Sequence, residues 1–134
     1  MYSKASVDVK SIGSTYILIG KLYEEQAKID WLPLFDKLYI YKGITSSLPD
    51  ILNLQKLSEQ KKRECERNSM QQSTLADVRK RADVLTYTVF AELNHFQNER
   101  DTDLKLTMKS FLQEQLNFYK NIVCKLEDTL RQFD

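Results

Sequence analysis

The sequence predicts an all-α protein, and three observations lead to that prediction. Only three of its 134 residues are glycine and two are proline, while 29% are charged, a composition typical of long helices. Apolar residues recur about every 3.6 residues through both halves of the chain, which is the period of an α-helix. A short polar stretch without that period separates the halves. We therefore expect a long antiparallel helical hairpin, with a first arm at about 6–68, a turn at about 69–73 and a second arm at about 74–133.

The first arm carries a stripe of mostly apolar residues at helical spacing. Its members are Ile12, Tyr16, Ile19, Tyr23, Ala27, Trp31, Leu34, Leu38, Tyr41, Thr45, Leu48, Leu52 and Gln55. Pro33 has no backbone N–H and fits best in the first turn of a helix, so we expect a break near Lys28 to Asp30, with Asp30 as the N-cap. Pro49 lies inside the apolar pattern, where its missing donor predicts a kink around Thr45 to Pro49.

The second arm is the more regular one. Its stripe consists of Leu75, Val78, Ala82, Leu85, Val89, Leu93, Phe96, Arg100, Leu104, Met108, Phe111, Gln115, Phe118, Ile122, Leu126, Leu130 and Phe133. Thr74 and Asp77 form an S/T-x-x-D capping signal at its start. Some 60 helical residues would span about 90 Å, so we expect an elongated assembly. A turn near residue 71 pairs positions whose numbers add up to about 142.

Composition and charge narrow the possible functions. The net charge is +1, so nothing global points to nucleic acid. The longest apolar runs are far shorter than the roughly 20 residues that cross a bilayer, and we expect a cytoplasmic protein. Cys65 and Cys124 match neither a disulfide framework nor a zinc spacing, which favours a reducing compartment.

A Glu-x-x-His pair, Glu92 and His95, raises the question of a metal enzyme. Ferritin-like bundles build two-metal centres from two such pairs plus further carboxylates, but His95 is the chain's only histidine. The stripe places His95 beside the apolar face, where a histidine is usually solvated or hydrogen-bonded. Neither cysteine lies near it in sequence or across the hairpin. We therefore expect no metal site, no cofactor, no small-molecule substrate and no catalytic activity.

Several stretches in order resemble the BAR domain of sorting nexins of the Src-homology-three, PX and BAR subfamily. "AELNHF" and "FLQEQLNFYKNIVCKLEDTLRQFD" are similar to its closing helix, and "YEEQ" and "YKGITSSLPDI" to its second helix. Two positions depart from the subfamily pattern. Ala27 stands where a proline is usual after "EQ", and Leu48 replaces an aromatic residue before Pro49. The resemblance implies the second and third helices of a BAR-type coiled-coil bundle, and so a C-terminal portion of a BAR domain.

The resemblance also implies a function. Such a domain is a membrane-curvature scaffold that forms a homodimer, or pairs with a related BAR chain, and lies on anionic phospholipid during endocytosis and vesicle trafficking. It would be peripheral on plasma-membrane or endocytic vesicle membranes. The subfamily's SH3 domain, PX domain and first BAR helix are not in this chain, so we expect a fragment or short isoform with an uncovered apolar groove, which favours self-association or uptake of a partner helix.

The residues themselves supply one electrostatic reason for lipid binding. Seven basic side chains flank the predicted turn: Lys61, Lys62, Arg63, Arg67, Arg79, Lys80 and Arg81. Only Glu64, Glu66 and Asp77 oppose them between positions 61 and 81, which leaves a local net charge of +4. Near an anionic leaflet each basic residue contributes about 1 kcal/mol. The alternative is a structural helical-bundle interaction module without a lipid role, in which these charges only solvate a helix end.

Overall fold

A computed structural model of the chain contains three helices: α1 (Tyr2–Ile29), α2 (Trp31–Arg67) and α3 (Gln72–Leu130). The structure describes the backbone of residues 2–68 and 71–133 and the side chains of residues 8–68 and 71–133. No strand occurs within those described ranges. The predicted all-α fold is confirmed.

The first arm is interrupted at Asp30, as the position of Pro33 predicts. Pro33 is the third residue of α2, in the first helical turn, where a missing N–H costs little. The Asp30 carboxylate accepts a hydrogen bond from the backbone N–H of Trp31, the first residue of α2, at 2.5 Å. The break is therefore confirmed. Asp30 stands at the N-cap position, but its carboxylate accepts from the first N–H of α2 and not from the second or third, the usual donors to an N-cap side chain.

The Asp30 side chain is also the most buried polar group described, with 2% of its surface exposed. Its Oδ2 accepts hydrogen bonds from the amide of Gln26, at 2.8 Å, and from the amide of Gln115 on α3. The Gln26 amide additionally reaches the backbone carbonyl of Glu114 at 3.3 Å. These hydrogen bonds form a polar cluster that connects the α1–α2 break to Glu114 and Gln115 of α3.

At Pro49 the helix behaves differently, because α2 runs through this residue without interruption. Immediately before it, the hydroxyls of Ser46 and Ser47 donate to the carbonyls of Gly43 and Ile44, at 2.8 and 2.7 Å. Hydroxyl bonding back to the preceding turn often bends helices. The kink around Thr45 to Pro49 stays a prediction.

The connection between α2 and α3 lies after Asn68, whose N–H bonds to the carbonyl of Glu64 at 3.0 Å. Ser69 and Met70 of the predicted turn lie outside the described residues. The N–H of Leu75 bonds to the carbonyl of Gln71 at 3.0 Å, so α3 begins at Gln72 and Thr74 lies inside its first turn. The prediction that Thr74 caps the helix is wrong by three positions, because Gln71 precedes the first helical residue and its carbonyl accepts the N–H of Leu75.

The chain forms two compact units. The first, which we call the terminal unit, comprises Met1–Leu38 and Lys105–Asp134. In it the hydroxyls of Thr15 and Thr129 are hydrogen-bonded at 2.6 Å, and the rings of Tyr23 and Phe118 meet edge-on with centroids 4.8 Å apart. These residue numbers add up to 144 and 141. The helices of the terminal unit are therefore antiparallel, in the register that a turn near residue 71 predicts.

The second unit, Tyr39–Leu104, is called the turn unit here. Its helices are paired by the Tyr41 hydroxyl, which donates to Asp103 at 2.5 Å, and by the Gln55 amide, which donates to the Thr86 hydroxyl at 3.1 Å. The residue numbers of these two pairs add up to 144 and 141, so the helices of the turn unit are also antiparallel, in a register near 142. The hydrogen bond to Asp103 raises the pKa of Tyr41 from 10.0 to about 12, with help from partial burial.

The inward face of α3 follows the predicted stripe through most of its length. Ala82, Val89 and Phe118 are buried, and Leu93 and Phe96 are half-buried. Toward its end the face moves by one position, because the half-buried residues are Lys125 and Thr129 while Leu126 and Leu130 are exposed.

On α1 the predicted stripe is confirmed at Ile19, which is buried, and is wrong by one position elsewhere. Thr15 is buried and Gln26 half-buried, whereas Tyr16, Tyr23 and Ala27 are exposed. The contact between α1 and α3 uses small and polar side chains at the Thr15–Thr129 and Asp30 levels. The aromatic side chains therefore lie along the side of the helix pair.

Candidate functional site

The seven basic residues predicted to bind lipid lie at one end of the turn unit. Lys61, Lys62, Arg63 and Arg67 occupy the last turns of α2, and Arg79, Lys80 and Arg81 follow soon after the start of α3. Because α2 and α3 are antiparallel here, the two groups come together around the connection. The structure then divides them into paired and unpaired side chains.

Two of the seven hold α2 against α3. The Lys62 ammonium lies 2.6 Å from the carboxylate of Asp83, and the Arg79 guanidinium 2.8 Å from that of Glu66. Lys62 is the more enclosed, with 23% of its side chain exposed, and its hydrogen bond to Asp83 raises the pKa of the Lys62 ammonium. Any anion that recruits these two groups must compete with an existing partner.

The other five basic side chains are exposed and have no ion-pair partner among the residues that the structure describes: Lys61, Arg63, Arg67, Lys80 and Arg81. Lys61 and Arg81 each precede an inward residue, Lys62 and Ala82, by one position. In antiparallel helices this places them on the same side of the pair, whereas Arg63 follows Lys62 and turns to the opposite side. We call these five the free basic residues. They lie on both sides of the end of the helix pair that carries the α2–α3 connection, which we call the tip, and not on one face only.

One further basic residue was missed from the sequence. Lys56 lines a shallow groove of about 460 Å³ on α2 together with Arg63 and Arg67. Glu59 and Glu64 line the same groove and reduce its positive charge. The spacing of seven and four residues between the three basic side chains was the available signal, because residues two and three turns apart share a helix face.

No described group of residues has the arrangement of a metal centre. His95 is exposed and lies 3.3 Å from Glu99, one turn along α3, rather than facing a second ligand pair. Within the described residues there is no cluster of three or more metal-ligating side chains. Both cysteines are free, Cys65 buried and Cys124 exposed. None of the described helices is long and apolar enough to span a bilayer.

The terminal unit carries a second candidate site, an exposed apolar strip along α3. We call it the outer strip; its members are Met108, Leu112, Leu116, Tyr119, Val123, Leu126 and Leu130, all exposed. They lie beside the inward face and follow the helical period at steps of three and four residues. An apolar patch of this extent on a monomer usually marks an interaction surface.

Aromatic and aliphatic side chains of α1 extend the outer strip sideways. Ile12 and Tyr16 line a depression of about 240 Å³ together with Leu126 and Leu130. Farther along, the ring of Phe118 lies 5.2 Å from that of Tyr119 and also contacts Tyr23 of α1, as described above. The exposed part of the predicted α1 stripe therefore belongs to the same apolar surface as the strip.

Comparison with known proteins places these features in a family. Residues 4–134 match the family model described as the WASP-binding domain of sorting nexin protein. Human sorting nexin-33 is 37% identical over 130 residues, which cover 94% of this chain and 23% of that protein. Mouse sorting nexin-18 is 32% identical over 126 residues, covering 91% and 20%, and sorting nexin lst-4 of Caenorhabditis elegans is 33% identical over 121 residues, covering 90% and 21%.

The chain thus spans about a fifth to a quarter of the length of these relatives. Neither the family description nor the relatives' names indicate a catalytic activity. The all-α antiparallel fold and a match over nearly the whole chain agree with the resemblance of the sequence motifs to a sorting nexin BAR-type domain. The chain belongs to the family of sorting nexin WASP-binding domains, which are BAR-type helical domains.

Proposed function

We propose that this chain is the C-terminal portion of a BAR domain in a sorting nexin of the Src-homology-three, PX and BAR subfamily. It acts as a non-enzymatic scaffold that dimerises, lies on anionic membranes and senses or shapes their curvature. Its setting is endocytosis and endosomal vesicle transport on the cytoplasmic side of plasma-membrane or vesicle surfaces. The observation that carries the proposal is the set of free basic residues around the tip.

The electrostatic argument rests on the division of charges at the tip. A basic side chain near an anionic leaflet contributes about 1 kcal/mol, so five free basic residues on each chain add up to useful affinity. Lys62 and Arg79 contribute less, because their partners Asp83 and Glu66 already neutralise them. Exposed charges are screened over about 8 Å at physiological salt, so binding weakens as salt rises.

The test compares two variants with the same change in charge. The tip variant changes Arg63, Arg67, Lys80 and Arg81 to glutamate. Its control changes four exposed lysines away from the tip, Lys10, Lys21, Lys42 and Lys120, to glutamate. Each is assayed by cosedimentation with vesicles containing phosphatidylserine or phosphoinositide, and with neutral vesicles.

We expect the tip variant to lose most of its binding to anionic vesicles and the control variant to keep most of it. Helicity of both variants should match that of the parent chain. A tip variant that binds like the parent, or a parent chain that binds neutral vesicles equally well, contradicts the membrane role.

The second candidate function is an interaction module without a lipid role, and two observations favour it. The outer strip is a surface suited to a protein partner, and the family description names WASP as a partner of such domains. A WASP-type protein that binds the parent chain and the tip variant equally, in high salt as in low salt, would support this candidate. Loss of that binding on changing Leu116 to aspartate would assign it to the strip.

A further inference from the structure

The S/T-x-x-D pattern that predicted a helix cap occurs twice in this sequence, at Thr74 with Asp77 and at Ser47 with Asp50. No other serine or threonine of the chain has an acidic residue three positions later. Since α3 begins at Gln72, Thr74 is not the cap, and its hydroxyl forms no hydrogen bond among the described residues. The structure therefore leaves the first of these motifs without the role that the sequence predicted.

The two motifs differ in how easily another protein can reach their hydroxyl groups. Thr74 and Asp77 are both exposed and lie at the start of α3, beside the connection. Ser47 is exposed as well, but it lies well inside α2, and its hydroxyl donates to the carbonyl of Ile44 at 2.7 Å. A helix end opens at almost no cost in free energy, whereas a segment inside a helix opens only when neighbouring turns also lose their hydrogen bonds.

An accessible hydroxyl followed by a carboxylate three residues later suits a serine/threonine protein kinase with a basic substrate cleft, because Asp77 supplies the complementary charge. In the transfer, the Thr74 oxygen forms a bond to the γ-phosphorus of ATP and the bond from that phosphorus to the bridging oxygen of ADP breaks. The hydroxyl proton passes to the catalytic carboxylate of the kinase. The hydroxyl must lie in line with the phosphorus, so the substrate segment must leave its helix and enter the cleft. Thr74 meets that requirement and Ser47 does not.

A phosphate on Thr74 would change the charge of the tip where the free basic residues lie. The net charge between positions 61 and 81 is +4, and a phosphothreonine carries about −1.5 to −2 at pH 7, so about +2 would remain. Arg67, the last residue of α2, borders the same connection as Thr74 and has no ion-pair partner among the described residues. The phosphate offers Arg67 an anionic partner, as Asp83 does for Lys62. Less positive charge is then left for an anionic surface.

We propose that Thr74 is a phosphorylation site for an acid-directed serine/threonine protein kinase, and that its phosphate releases the tip from anionic membranes. The inference deepens the proposed function, because it rests on that function for the membrane contact and adds a covalent regulator of the same site. Asp77 recognises the kinase, Thr74 accepts the phosphoryl group, and the free basic residues lose part of their attraction for lipid.

Phosphate mapping tests the site on the full chain, with magnesium ATP and an acid-directed serine/threonine kinase. Mass spectrometry should find phosphate on Thr74, and on Ser47 less than about a tenth as much, because α2 must open there. Asp77→Asn should slow phosphorylation of Thr74 by about tenfold, whereas the matched control Asp50→Asn should leave its rate unchanged. Equal modification of Ser47 and Thr74, an unchanged rate in Asp77→Asn, or no phosphate on Thr74 would overturn the proposal.

Cosedimentation with phosphatidylserine vesicles tests the regulatory effect. The phosphorylated parent chain should bind about tenfold more weakly than the unmodified one, because about two units of positive charge are cancelled. Treatment with a phosphatase should restore the binding. Thr74→Ala is the control: after the same incubation with kinase and ATP, it should bind like the unmodified parent chain. Equal binding of the phosphorylated and unmodified parent chains would refute the release from membranes.

The two assays separate this inference from the proposed function. A parent chain that binds anionic vesicles equally with and without phosphate on Thr74 contradicts only the regulation. A parent chain that accepts phosphate on Thr74 but ignores anionic vesicles contradicts the membrane role and the release, and supports the modification site alone.

Discussion

Removing the Asp30 carboxylate should destabilise the terminal unit more than the loss of any exposed charge. Asp30→Ala deletes the acceptor for the Trp31 N–H and for the amides of Gln26 and Gln115. Loss of a helix N-cap costs about 1 kcal/mol, and a buried donor left without a partner costs about 1 to 3 kcal/mol. The amide of Gln26 can still donate to the carbonyl of Glu114, so its loss of Asp30 as a partner costs less free energy than the same loss at Gln115.

Release of a buried carboxylate offsets part of that loss, so we expect a net decrease of about 3 kcal/mol in the free energy of unfolding. Asp30→Asn keeps an oxygen for the Trp31 N–H, and the glutamine amides can turn to accept its NH₂, so about 1 to 2 kcal/mol should be lost.

The assay is urea unfolding followed by far-ultraviolet circular dichroism, at one protein concentration because association contributes to apparent stability. Asp36→Ala is the matched control, since Asp36 is an exposed aspartate of the same helix start and should change stability by less than about 0.5 kcal/mol. If Asp30→Ala is tolerated as well as Asp36→Ala, the cluster at the helix break does not stabilise the fold as reasoned here.

Three further predictions follow from individual contacts. Phe118→Ala should lower the free energy of unfolding by about 3 to 5 kcal/mol in the same urea assay, because its buried ring packs against α1. Since the pKa of Tyr41 is raised in the folded state, its hydrogen bond to Asp103 stabilises the fold below about pH 10 and is lost as the pH rises through about 12. Asp103→Asn should therefore lower the pH at which Tyr41 ionises, measured by tyrosinate absorbance. A thiol reagent should modify exposed Cys124 in the native protein, and buried Cys65 only after unfolding in urea.

The positions of the helices followed from local features of the chain. Few glycines and prolines leave long stretches free to form helix, and Pro33 ends one helix because it has no N–H to donate. The polar connection near residue 71 then decided the register of the antiparallel pairs, as Thr15–Thr129 and Tyr41–Asp103 show. These properties depend on backbone donors and on chain distance, both of which are visible in a single sequence.

The facing of α1 did not follow from the sequence, because this helix is apolar over more than one side. The periodicity of Tyr16 and Tyr23 is genuine, but both side chains stay exposed beside the helix pair, where Tyr23 still contacts Phe118, while the buried Thr15 bonds to Thr129 of α3. Periodicity reports that a face is apolar and does not report which neighbour covers it. The outer strip on α3 was not foreseen for the same reason: its residues are apolar at helical spacing, but no other described helix covers them.

The sequence predicted the candidate lipid site as a group of basic residues, but only the tertiary structure showed which of them have ion-pair partners. Clustering around a turn identified all seven basic residues, but cross-helix partners were not visible in the sequence, because Asp83 and Glu66 are 21 and 13 residues away from theirs. Lys62 and Arg79 thus turned out to be paired. Lys56 was missed because it lies outside the dense charge run and joins Arg63 only through the helical repeat.

The sequence by itself determined the helices, the break at Asp30 and the antiparallel register, since each depends on backbone hydrogen bonding and on distance along the chain. Only the tertiary structure decided which side of α1 faces inward, which basic side chains are neutralised and that Gln115 completes the Asp30 cluster. Those features depend on the rotation of each helix about its own axis. Packing sets that rotation, because small residues such as Thr15 and Thr129 let two helices approach where aromatic side chains would hold them apart.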